Sequence, residues 1–121
     1  MVLAPRGHML TVVGKLIYDS TGQGADIEDR TLAHLRVVIM NKLRRGEAFM
    51  FHYELADGSL GHRSIWMHPT IPLTFHFYGG RPPQINRAWV EALMESAGSA
   101  NGLSIVPEPD DAAREGRPLV G

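Results

Sequence analysis

The sequence contains no cysteine. Disulfides, thiolate metal sites and cysteine nucleophiles are therefore excluded, and the composition suits a reducing compartment. No apolar run approaches the ~18 residues that a membrane span needs. The N-terminus lacks the basic segment and long apolar stretch of a secretory signal. These absences predict a cytoplasmic protein with no membrane partner. A strong charge of one sign is missing too: 12 basic residues stand against 13 acidic ones, a net charge of -1. That balance does not suit a strong DNA binder, whose domain pI usually exceeds ~9. There is no G-x-x-x-x-G-K, no G-x-G-x-x-G and no H-E-x-x-H. Serines stand at 20, 59, 64, 96, 99 and 104, but none lies in a G-x-S-x-G elbow. No cofactor is expected, and nothing in the linear order of residues singles out an enzyme.

What is present suits one domain. A chain of 121 residues with 44% hydrophobic content can bury a core without a staple. Residues 1–8, MVLAPRGH, read as a tag remnant before a native start at Met9. Residues 9–107 read as a single α+β domain, and 108–121 as a flexible polar tail.

The apolar pattern places the elements. Residues 10–18, LTVVGKLIY, read as a strand. DSTGQG at 19–24 reads as a turn, and a short extended piece at Ala25–Ile27 completes a hairpin. A helix follows from about Asp29, capped by Asp26 or Asp29, with a core stripe of Leu32, Leu35, Ile39 and Leu43. Arg30, His34, Asn41, Arg44 and Arg45 fall on the opposite face. Gly46 closes the helix. Residues 47–55 alternate, with Phe49, Phe51, Tyr53 and Leu55 against Met50, His52 and Glu54. Asp57-Gly58 marks a hairpin loop, and strands are expected at 62–68 and 73–78. Asn86 caps a second helix at 87–97, and LSIV at 103–106 is the last strand. The predicted order is β-α-β-β-β-α-β: one antiparallel sheet with both helices on a single face, a two-layer α+β sandwich.

Four constellations could carry chemistry. The first is the helix RTLAHLRVVIMNKLRR at 30–45, which holds five basic residues and no acid. Its Arg30, Arg44 and Arg45, with Lys42 and His34, are candidate phosphate contacts, and nucleic acid is the corresponding partner. The bland alternative is a solvated face with a satisfied dipole. The second is a set of strand histidines, His52, His62, His68 and His76, with Glu54. Three imidazoles and a carboxylate could hold zinc if the registers bring them to one face. The third is a sheet face carrying Trp66, Tyr78, His76 and Met50, either a stacking platform for bases or a homo-oligomer contact. The fourth is the loop GGRPP at 79–83, where backbone N–H groups with Arg81 and Arg87 could bind an anion. The simpler reading is a stiff strand-to-helix connection.

The strings EDRTLAHLRVVIMNKLRRGE, IWMHPTIPLTFHF, INRAWVEALM and GLSIVPEP resemble a family of roughly hundred-residue actinobacterial proteins of unknown function. The resemblance covers about residues 14–109. Many members carry the automatic label "ATP-dependent DNA ligase", which implies a DNA-related context. The ligase core centres on a lysine in K-x-D-G, and this sequence has no such motif, so no catalytic residue carries over. The function expected is a binding module, self-associating or partner-binding, with nucleic-acid contact as its sharper version. The alternatives are a small metal-binding domain or enzyme using the histidines, and an accessory domain in a DNA-ligase or repair context.

Overall fold

The computed structural model describes residues 12–19, 23–54 and 61–110. The proposed tag remnant, the Asp57-Gly58 turn and residues 111–121 lie outside them. The elements are β1 (Val13–Tyr18), β2 (Gln23–Glu28), α1 (Asp29–Arg44), β3 (Phe49–Glu54), β4 (His62–Met67), β5 (Leu73–His76), α2 (Arg87–Ala97) and β6 (Leu103–Ser104). The fold is α+β in the order anticipated, and the extended piece at Ala25–Ile27 is part of a full strand.

The strands form two three-stranded sheets rather than one: β2-β1-β5 and β4-β3-β6. All pairs are antiparallel except β3 with β6, which is parallel. The break falls where Pro69 and Pro72 lie between β4 and β5. Proline lacks the N–H that would extend a ladder, so the chain turns there, with Ile71 N–H donating to the His68 carbonyl (3.0 Å). The sheets are tied by Tyr18, whose hydroxyl donates to the Trp66 carbonyl at 2.6 Å.

A single core joins the layers. The inner faces contribute Leu16, Ala25 and Ile27 from one sheet and Phe49, Phe51, Tyr53 and Met67 from the other. From the helices come Leu32, Leu35, Val38 and Ile39 of α1, and Trp89, Leu93 and Ala97 of α2. The alternation in β3 falls as the sequence predicted, since Phe49, Phe51 and Tyr53 are buried while His52 and Glu54 are not. Helix α1 packs on β1, β2 and α2, and α2 packs on β6. With neighbours on two sides, its buried face is wider than the expected stripe. His34, expected on the solvent face, is fully buried, with its ring 4.5 Å from that of Trp89.

The helix ends differ from each other. Asn86 caps α2 as anticipated, its side chain accepting from Ala88 N–H at 3.0 Å and Trp89 N–H at 3.3 Å. Glu28 occupies the N-cap position of α1 and makes no side-chain cap bond. Neither predicted capping aspartate serves. Asp26 pairs with Lys15 across the hairpin at 2.8 Å, and Asp29 turns toward the 78–79 backbone. Gly46 follows the end of α1 with φ of 78°, the left-handed conformation that suits glycine.

Candidate functional site

The two halves of α1 have different surroundings. In the first half, Arg30 donates from Nε to the Glu108 carboxylate at 3.0 Å and from Nη1 to the Gln84 carbonyl at 3.0 Å, with Nη2 on the second Glu108 oxygen. Glu108 also accepts from Asn86 Nδ2 at 2.9 Å. Asn86 N–H donates to His34 Nε2 at 2.8 Å. Nε2 must therefore be bare, and Nδ1–H donates to the Arg30 carbonyl at 2.7 Å. His34 is a neutral ring with both nitrogens engaged, and burial pushes its pKa below the ordinary histidine value. The Arg30 guanidinium, with Asn86, holds the Glu108 carboxyl down at about 2. Arg30 and His34 thus serve the packing of α1, α2 and the 106–110 segment. Glu108, assigned by composition to a loose tail, is a central acceptor in this network.

From Arg36 to Arg44 one flank of the helix is open, while Val38 and Ile39 stay in the core. Met40 is 49% exposed beside a groove of about 370 Å³ lined by Ile39, Leu43, Pro69, Leu73 and Phe75, with Arg36 and Arg44 at its margins. The Arg36 guanidinium lies 5.4 Å from the centre of the Phe77 ring, a cation–π contact. Among the described residues, Arg36 and Arg44 make no ion pair. Lys42 and Arg45 both bind Glu47, at 2.9 and 3.3 Å, which holds that carboxyl below its ordinary pKa, Lys42 contributing most. The predicted phosphate contacts therefore divide: Arg44 has no ion pair among the described residues, Arg45 and Lys42 share the one carboxylate of Glu47, and Arg30 and His34 are built into the fold.

The GGRPP loop already holds an anion. Gly79 N–H donates to Asp29 Oδ2 at 2.8 Å and Tyr78 N–H to Oδ1 at 3.4 Å. Gly14 makes room for this arrangement, because a Cβ there would lie 2.5 Å from Asp29 Oδ1 and 2.6 Å from the His76 carbonyl oxygen. Arg81 and Arg87 are exposed, and the first backbone donor of the loop, Gly79 N–H, is taken by the chain's own carboxylate.

The histidines do not converge. His76 lies on the first sheet, its ring tilted against that of Tyr78 with centroids 4.3 Å apart. His68 follows β4 and bonds Thr70 Oγ1 through Nδ1 at 2.8 Å. His52, Glu54 and His62 share the outer face of the second sheet, Glu54 opposite His62 and His52 opposite Ser64. Among the described residues, no group of three His, Asp or Glu side chains could hold a metal ion. The aromatic platform is likewise split: Trp66, 50% exposed, belongs to the second sheet, His76 to the first, and Tyr78 lies just past the end of β5.

A cleft of about 680 Å³ opens between the β2–α1 junction and the β3–β6 edge. It is lined in part by Asp26, Glu28, His52, Glu54, His62 and Asn101. Its character is acidic, which disfavours a polyanion. Sequence reasoning missed it because its walls come from four separate segments.

No helix among the described residues is long and apolar enough to cross a membrane. No curated protein and no solved structure matches the chain. Residues 13–108, which run from the start of β1 to the Glu108 that locks the two helices together, match a family described as a domain of unknown function, DUF7882, and the chain belongs to that family.

Proposed function

We propose that the protein is a partner-binding module whose docking surface is the outer flank of α1, and that the partner is a protein segment with apolar side chains flanked by carboxylates. One observation carries this reading: an apolar groove with an exposed Met40 runs between two arginines that have no ion pair among the described residues. The apolar lining rewards burial of Leu- or Phe-sized groups. Methionine adapts its shape to such groups. Arg36 and Arg44 sit eight residues apart, about 12 Å along the helix, and select carboxylates at both ends of the inserted segment. The groove favours a protein over nucleic acid, because phosphate tracking needs a continuous run of free cations. Here Lys42 and Arg45 are both engaged by the single carboxylate of Glu47.

The test is fluorescence anisotropy with a labelled peptide of Glu-Leu-Leu-Glu repeats, and in parallel with single- and double-stranded oligonucleotides, at low and at physiological salt. The reading expects the peptide to bind in the micromolar range and Arg36→Glu/Arg44→Glu to abolish it. Oligonucleotide binding that collapses with salt, with no peptide binding, would replace it by the nucleic-acid reading and favour an accessory role in a DNA-ligase or repair context. Light scattering on the same samples distinguishes a second copy as occupant, since the flank would then be covered in a homodimer without added peptide.

A further inference from the structure

We infer that Ser64 and His52 form a nucleophile–base pair on the outer face of the second sheet, competent to take the acyl group of a carboxylic ester with an apolar acyl chain. The site is separate from the α1 flank and rests on different observations. Ser64 Oγ lies 2.6 Å from His52 Nδ1, and His52 Nε2 lies 2.6 Å from the Asn101 carbonyl oxygen. A carbonyl can only accept, so Nε2 carries the hydrogen. In the neutral ring Nδ1 is then a bare acceptor, and the Ser64 hydroxyl donates to it. Nucleophile, base and orienting group therefore stand in the order that activates a serine, with a backbone carbonyl in the orienting place.

The fold builds this order from three segments. The β3–β4 register sets His52 directly across from Ser64. The parallel pairing of β6 sets Ser104 beside His52 and brings the 99–102 turn over the imidazole. Gly102 is what allows that approach. Its φ is 95°, and a Cβ there would lie 2.5 Å from the Met50 carbonyl oxygen. Any larger residue would push the Asn101 carbonyl away from the ring.

The neighbouring rows flank the pair. On one side, Trp66 stands opposite Met50, and Trp66 is half exposed, giving an apolar shelf for the acyl chain. On the other, His62 stands opposite Glu54 at the rim of the cleft that His52 and Asn101 also line. That cleft gives the leaving alcohol a way out and water a way in. In the transfer, Ser64 Oγ bonds to the carbonyl carbon while its proton passes to His52 Nδ1, and the carbonyl electron pair moves onto oxygen. When that pair returns, the bond to the alcohol oxygen breaks and His52 gives its proton to the departing group. Acyl-Ser64 remains. Water then repeats the two steps, releasing the acid and restoring the hydroxyl.

The experiment incubates the full chain with an alkyl fluorophosphonate, which transfers its phosphonyl group to activated serines with loss of fluoride. Intact mass and peptide mapping follow adduct formation, and turnover of a nitrophenyl ester of a medium-chain acid is measured alongside. A single adduct at Ser64 is expected, absent in Ser64→Ala and formed about a hundredfold more slowly in His52→Gln. Ser64 is exposed, so Ser64→Ala is expected to melt with the parent chain, which separates loss of chemistry from loss of fold. No adduct on the parent chain, or an adduct spread over several serines, overturns the proposal. So does a Ser64 adduct that forms equally fast without His52.

Discussion

The first and second halves of α1 are alike in sequence and opposite in use. Each half carries arginine among apolar residues. In the first, Arg30 and His34 are tied down because Gln84, Asn86 and Glu108 bring partners to the guanidinium and to His34 Nε2, while His34 Nδ1 bonds the Arg30 carbonyl of the same helix. In the second, Arg36 and Arg44 meet no carboxylate among the described residues, and the apolar surface between them stays open. Helical periodicity cannot tell these cases apart. What decides is which distant segments arrive, and Asn86 and Glu108 arrive only at the first half. A basic helix is therefore two objects here, one a structural clasp and the other a surface with capacity to bind.

The largest way to break this contrast is to remove the clasp's buried centre. His34→Ala leaves the Asn86 N–H without its acceptor and opens a void against Trp89. The expected loss is about 3 kcal/mol of unfolding free energy by urea titration. Protonation should weaken the same centre. His34 titrates below its unfolded value in the native state, so its contribution is complete above pH 6.5, the unfolded value, and is lost as pH falls through the lowered folded one. The Glu108 carboxyl, at about 2 when folded, adds a second loss between about pH 4.5 and 2. The urea midpoint should fall in two stages on acidification, and His34→Gln should remove the upper stage only.

Smaller effects sharpen the contrast. Arg30→Ala removes charged hydrogen bonds from a half-exposed pair, at an expected cost of about 1 kcal/mol after solvent screening. It should also bring the Glu108 carboxyl back toward its ordinary pKa, read by carbon NMR titration. Arg44→Glu should change stability by no more than about 0.5 kcal/mol, while weakening the acidic peptide about tenfold or more. If Arg44→Glu instead destabilises as strongly as His34→Ala, the two halves of α1 do not differ as described.

Much of the fold was legible. Alternation in 49–54 named the buried face of β3, and Asn86 announced the start of α2. What could not be read depended on long-range arrival. The outward assignment of His34 failed because α2 covers a second flank of α1. In GGRPP the Gly79 N–H is taken by Asp29, fifty residues earlier in the chain. The single sheet became two because Pro69 and Pro72 redirect the chain between β4 and β5. Ser64 and His52 carry no local motif, and only the antiparallel register of β3 and β4 places them opposite each other.

The most direct test of the central claim is a ¹H–¹⁵N correlation spectrum recorded as the Glu-Leu-Leu-Glu peptide is added. The account predicts that shifts concentrate at residues 36–44 and at Leu73 and Phe75, with Arg30, His34 and Asn86 unmoved. Shifts centred on the first half of α1 or on the outer sheet faces, or no shifts at all, would contradict it.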